Sequence, residues 1–292
     1  MFTAHLETLP DDVIGTHRVL THVHTAGNSV CSGQQTAADV ARLAKFAGYE
    51  AVVLNEHTGN PGAPTMIWLG SEEHVALAAS KAEAQATVTT LLSPLLWGLE
   101  TNVVLTAGGP VMDVDRDVLK DMGPAYVIGS LHGDPAPYQD PATALAAYRV
   151  LFENPWIDAI GHPTRGLPTH LIDWDEFYRM AVDTGTAVEL NLNQWYKDTG
   201  QNNGIGHFDG GGERKHRRLL DKGVTAGANF IFGSDIHNPG MWPLTKKVEG
   251  WETTQDAVCR FNYLLHEYGA GPDNILNTSY ATFAPHLHLD RL

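Results

Sequence analysis

Short runs rich in β-branched and apolar residues recur along the chain and alternate with stretches whose apolar positions fall three and four residues apart. The runs read RVLTHVH, EAVVLNEH, LLWGLETNVV, AYVIGSLHG, IDAIGHP, TAVELNLN and NFIFGSDIH, seven predicted strands. Between them lie TAADVARLAKFAG, SEEHVALAASKAEAQATVTTLL, DVDRDVLKDMG, DPATALAAYRVLFEN, DWDEFYRMAVDTG and GERKHRRLLDKG, predicted helices. Most open on Ser, Thr or Asp, whose side chains satisfy free N–H groups of a first turn, and several close on Gly, which accepts a left-handed exit. Strand and helix in repetition require a parallel sheet, and seven or eight such units close most naturally into a barrel.

A barrel of parallel strands gathers its chemistry at the carboxyl ends of the strands. Each predicted strand ends in residues able to bind metal or carry a proton: His22 and His24, Glu56 and His57, Glu100, His132, His162, Glu189, and Asp235 with His237. In the first run, extended backbone would put His22 and His24 on one face with Val23 on the other, within reach of a common ion. Nine further histidines, His5, His17, His74, His170, His207, His216, His266, His286 and His288, lie outside the strand ends and are expected to be ordinary solvated or hydrogen-bonded side chains.

At 292 residues and 43% hydrophobic content the chain can bury a large core. No Ser/Gly or Pro-rich spacer divides it, so one domain over residues 1–292 is expected, with the motifs in 18–240 and C-terminal helices over 254–280 before a tail. The 19 Lys and Arg against 34 Asp and Glu give a formal charge of −15. That argues against sequence-independent binding to nucleic acid or to an anionic membrane, both of which need a basic surface. A small anionic substrate stays compatible with it if bound metal supplies local positive charge. No run of 18 apolar residues predicts a membrane span, and the start, MFTAHLETLPDD, lacks the features of a signal peptide. Cys31 and Cys259 form no disulfide or zinc-finger framework, which fits a reducing cytoplasm.

The order HVH, NEH, GLE, GSLH, GHP, VELN and GSDIHNP resembles the PHP (polymerase and histidinol phosphatase) family over residues 22 to 239. The resemblance implies a distorted (β/α)7 TIM-like barrel holding two or three divalent metal ions, and hydrolysis of phosphate esters. It places His22, His24, Glu100 and Asp235 on one metal. Glu100, bridging, His132 and His162 would hold a second, and His57 and His237, with Glu56, would serve a third. Imidazole and carboxylate donors suit zinc, manganese or iron.

Two departures from the family pattern fall at the third site. Glu56 stands where an Asp is usual, and AGNSVCSG replaces a segment that often supplies a further ligand, with Cys31 or Ser32 near that place. Thr21 also stands where an Asp usually precedes the first histidine pair. Glu189 and Asn191 alternate toward the barrel interior and are expected to orient ligands through hydrogen bonds.

The expected activity is a metal-dependent phosphoesterase acting on a small organic phosphate ester through a metal-bridged hydroxide. His132 or His237 would protonate the leaving group, so these two and Asp235 are the catalytic candidates. Arg165, three residues after His162, and Lys197 are the substrate-binding candidates, because a phosphoryl group gains from cationic donors. Trp68, Trp195 and Tyr196 lie in long loops that would overhang the site. An alternative on the same scaffold is an iron- or manganese-dependent oxidase or oxygenase.

Overall fold

The structure, a computed structural model, describes residues 18–27, 33–60, 65–91, 95–132, 140–163, 172–191, 220–237 and 273–291. Seven parallel strands close into a barrel: β1 (Val19–Val23), β2 (Ala51–His57), β3 (Leu95–Thr106), β5 (Val127–Ser130), β6 (Ala159–Ile160), β7 (Ala187–Asn191) and β8 (Phe230–Ile236). Each pairs with the next, and β8 returns to β1. The seven predicted runs are these seven strands.

Among the described residues, helices α1 (Ala37–Ala47), α2 (Glu72–Leu91), α3 (Arg116–Met122), α4 (Pro141–Phe152) and α5 (Trp174–Thr184) surround the barrel, together with a helical stretch over 220–226. Their starts follow from side-chain capping. Thr36 and Asp39 form a reciprocal box at α1, and Asp115, Asp140 and Asp173 accept first-turn N–H groups at α3, α4 and α5. Apolar helix faces pack on the outward residues of the strands, which gives the main core. The inward residues form a second cluster, with Val19, Val53, Tyr126, Ile128 and Ile231 meeting Leu276, Phe283 and Leu287 of the C-terminal segment. That segment is fastened by Asn277, whose amide donates to the Val19 and Phe232 carbonyls at 2.8 Å and accepts from the Phe232 N–H at 2.9 Å. One end of the barrel is thereby plugged with apolar side chains, which leaves the carboxyl end for chemistry.

Three details depart from the sequence reading. A further strand, β4 (Gly109–Met112), folds back antiparallel on the extended end of β3 through a tight turn at Ala107 and Gly108. The helix expected to close at Gly223 runs on to residue 226. Gly223 is needed there for packing, since a Cβ would stand 2.6 Å from both the Tyr178 and Phe230 rings, and Gly227, with φ of 78°, makes the left-handed exit instead. Over 273–280 the chain is not one continuous helix: Ile275 bridges to Phe230, Leu276–Thr278 is a 3-10 turn, and a four-residue helix, α6 (Tyr280–Phe283), follows. Residues 254–272 of the expected C-terminal helices lie outside the described residues. Among the described residues no helix is long and apolar enough to cross a membrane.

Candidate metal centre

Imidazoles and carboxylates from successive strand ends converge at the open mouth of the barrel. At their middle is Glu100, fully buried on β3. Its Oε2 stands 3.1 Å from His22 Nε2, 3.5 Å from His24 Nε2 and 2.9 Å from His57 Nδ1. Its Oε1 stands 3.3 Å from His132 Nε2 and 2.9 Å from His162 Nε2. One carboxylate thus faces two sets of imidazoles, one on each oxygen. Asp235 adds Oδ1 at 3.5 Å from His24 Nε2 and 3.4 Å from His237 Nδ1.

His22 and His24 do not reach the centre by simple alternation along an extended strand. β1 is not evenly extended, because its register slips against both neighbours between residues 20 and 23. His22 sits at φ of 61°, in the left-handed region, and the same region holds Asp235 at 50° and His162 at 25°. These are the only non-glycine residues with positive φ among the described residues, and all three are site residues. Such conformations are strained for side chains with a Cβ and persist where the surroundings over-determine them. The surroundings here are side chains that take over the interrupted ladder. Asn55 accepts from the His22 N–H at 2.9 Å, Ser234 donates to the Thr21 and His22 carbonyls, and Thr21 donates to the Phe232 carbonyl at 3.0 Å.

Three imidazoles have their Nδ1 against an acceptor, which leaves Nε2 as the nitrogen not engaged by that bond. Glu189 Oε1 takes the His22 Nδ1–H at 2.6 Å, Asn102 Oδ1 takes that of His132, and the Asp235 carbonyl takes that of His237 at 2.9 Å. Glu189 also accepts from the His162 backbone N–H at 2.5 Å and from Asn191 at 3.0 Å, so one carboxylate orients two candidate ligands, the role expected of it. Room for it is made by Gly233, where a Cβ would lie 1.5 Å from Glu189 Oε1. Gly233→Ala should therefore force the buried Glu189 out of place, lowering stability by about 3 kcal/mol or more and releasing His22. Denaturant unfolding of the metal-free protein checks this, and a variant within ~1 kcal/mol of the parent would contradict it.

Burial and charge pull the ionisations in opposite directions. Burial would depress His22, but the Glu100 and Glu189 carboxylates outweigh it and hold the imidazole well above its usual value. Burial would raise Glu100, and His22, His57 and His132 hold it well below the carboxylate range. His24 is pushed well below the imidazole value by burial and then by His57, and His237 is lowered by burial.

The donor set fits metal ions. His22 Nε2, both ring nitrogens of His24, His162 Nδ1 and Glu100 Oε2 are buried and make no hydrogen bond among the described residues. A buried polar atom left without such a bond costs about 1–3 kcal/mol, and a cation between imidazole lone pairs and carboxylate oxygens removes that cost. Among the described residues, three groups have donor atoms close enough to share an ion: His22, His24 and Glu100; His57, Glu100 and His132; His24, His57 and His237. This grouping differs from the partition that the resemblance implies. His24 and His57 each enter two groups, and His162 bonds to Glu100 beside them.

Glu56 enters none of the three groups. Its carboxylate accepts from the Thr25 hydroxyl and N–H, and burial raises its pKa to about 7. Trp68 is exposed. Arg165, Lys197, Cys31, Ser32, Trp195 and Tyr196 lie outside the described residues. Sequence reading missed Asn55, Thr58, Asn102 and Asp113, buried polar residues around the ligands. The Gly-Gly signal of a hairpin after β3 could have drawn attention to Asp113.

No family model matches the chain. It is similar to a protein of Caldicellulosiruptor bescii named "Probable phosphatase", at 28% identity over 66% of this chain and 68% of that one. A Clostridium novyi protein with the same description is 32% identical over 49% of this chain and 52% of its own length, and one from Acetivibrio thermocellus is 25% identical over 74% and 78%. Among solved structures, a chain in an archaeal ribonuclease P complex with mature tRNA aligns at a TM-score of 0.49 and 13% identity, covering 86% of this chain and 93% of that one.

Proposed function

We propose that this chain is a PHP-type, metal-dependent phosphoesterase that hydrolyses a small organic phosphate ester. The observation that carries the reading is Glu100, a buried carboxylate whose two oxygens face two separate sets of imidazoles, an arrangement suited to two neighbouring ions. Similarity to proteins named as probable phosphatases supports the same chemistry. Bound divalent ions, two or three of zinc, manganese or iron, would supply charge to the phosphoryl oxygens and a nucleophilic water of lowered pKa.

The protein's own residues hold and orient. His22, His24, Glu100 and Asp235 would serve one ion, Glu100, His132 and His162 a second, and His57 with His237 a third. Glu189 keeps the His22 ring in line. Where only two ions are bound, His237, with its side chain 20% exposed against 3% for His132, is the better placed of the two to meet a leaving oxygen entering from solvent. Arg165 and Lys197 are the proposed cationic contacts to the phosphate.

The test is metal analysis of protein purified without chelator, followed by phosphate release across a panel of phosphorylated metabolites. Release that a chelator abolishes and one of the three metals restores is the expected outcome. Failure to release phosphate after reconstitution with each metal would overturn the reading, and oxygen uptake in its place would favour the oxidase alternative.

A further inference from the structure

The hairpin of β3 and β4 places a buried carboxylate behind the metal centre. Asp113 follows β4 directly, continues its pairing with β3 through an N–H to the Asn102 carbonyl at 2.9 Å, and is fully buried. Its Oδ1 accepts from the Asn102 backbone N–H at 3.0 Å. Its Oδ2 accepts from Asn102 Nδ2 and from the Thr58 hydroxyl, each at 2.7 Å. Asn102 in turn meets His132 Nδ1 through its Oδ1.

An ionised carboxylate only accepts, so it fixes which end of the Asn102 amide faces it. The NH2 group must turn to Asp113, and the carbonyl oxygen must turn to His132. A carbonyl oxygen also only accepts, so His132 Nδ1 must carry the ring proton. Nε2, 3.3 Å from Glu100 Oε1, is then the atom with the lone pair. Without Asp113 the amide could turn over and offer NH2 to the imidazole, which would move the ring proton to Nε2 and close that atom to a cation.

We propose that Asp113 is a positioning residue which, through Asn102, holds His132 as the Nδ1–H tautomer and keeps its Nε2 available to a metal ion. The proposal rests on the metal-centre reading and is independent of which ester is hydrolysed. Asp113→Asn is the direct probe. An amide at 113 places NH2 either against the Asn102 backbone N–H or toward the Asn102 side chain, and the second arrangement inverts the relay. The double variant N102D/D113N restores its direction. Its carboxylate at position 102 accepts from His132 and from the amide NH2 at position 113, while the amide oxygen at 113 takes the backbone N–H of residue 102.

The ring 15N shifts of His132, read in chelator-treated protein, identify the protonated nitrogen without metal or substrate. The parent and the double variant are expected as Nδ1–H, and D113N with a substantial Nε2–H population. Calorimetric titration with zinc should show about 10- to 100-fold weaker binding of one equivalent in D113N, recovered in the double variant. A D113N protein that keeps the Nδ1–H tautomer and parent zinc affinity while melting lower would make Asp113 a purely structural residue and overturn the proposal. Because the tautomer is read on metal-free protein, its failure is distinct from a failure to release phosphate.

Discussion

Glu100→Gln is expected to abolish activity while leaving the barrel folded. The substitution keeps the shape but removes the charge that faces five imidazoles across 2.9 to 3.5 Å. An amide offers a single neutral acceptor and turns an NH2 group toward one imidazole set, so it serves at most one side of the centre. Two of the three candidate ligand groups contain Glu100, and at least one equivalent of metal should be lost. Several kcal/mol of charge stabilisation removed from the transition state corresponds to about 10³-fold or more in kcat. Metal analysis and phosphate release on the same preparation check this together. Parent stoichiometry with parent turnover would remove Glu100 from the centre. The metal-free variant should keep its circular dichroism spectrum, because the apolar cluster at the other end of the barrel does not include this residue.

Metal binding should release a proton from His22 near neutral pH. In the metal-free protein its imidazole is held protonated by Glu100 and Glu189 against the opposing effect of burial, whereas His24 and His237 are held below the usual value and are already neutral. A cation on His22 Nε2 must displace that proton. The stabilising His22 charge is fully present below the unfolded value of about 6.5 and is lost as pH rises through the raised folded value. Raising the pH across this window should therefore lower the melting temperature of metal-free protein and strengthen metal binding, by about tenfold per pH unit for one proton. Calorimetry in buffers of different ionisation enthalpy counts the proton, and His22→Gln should lose it. An affinity that stays flat as pH rises through neutrality, with no proton released, would contradict the assignment.

The strands were legible because a fully buried parallel strand writes itself as a β-branched apolar run, and each run here ends in a polar residue where the barrel opens. Val52 to His57 illustrates this: the apolar residues pair with β3, and the polar end enters the centre. Helix starts were legible for the same local reason, as with Asp140 and Asp173. Gly223 was misread because a glycine that closes a helix and one that lets two rings approach look alike in sequence. β4 was passed over because four residues of edge strand carry too little pattern to stand out beside a helix start.

The sequence by itself determined the chemistry of the mouth: imidazoles and carboxylates at successive strand ends, with a strand order that brings them to one place. Only the tertiary structure decided how each ring is held. His22 turns into the cluster through left-handed backbone and a register slip, not through simple alternation, and that conformation depends on Asn55 and Ser234 from neighbouring strands. The other side of the His132 ring meets Asn102 and, through it, Asp113, residues 30 and 19 positions away. Ligand type is a property of a residue, whereas tautomer, strain and shared coordination arise between residues distant in sequence.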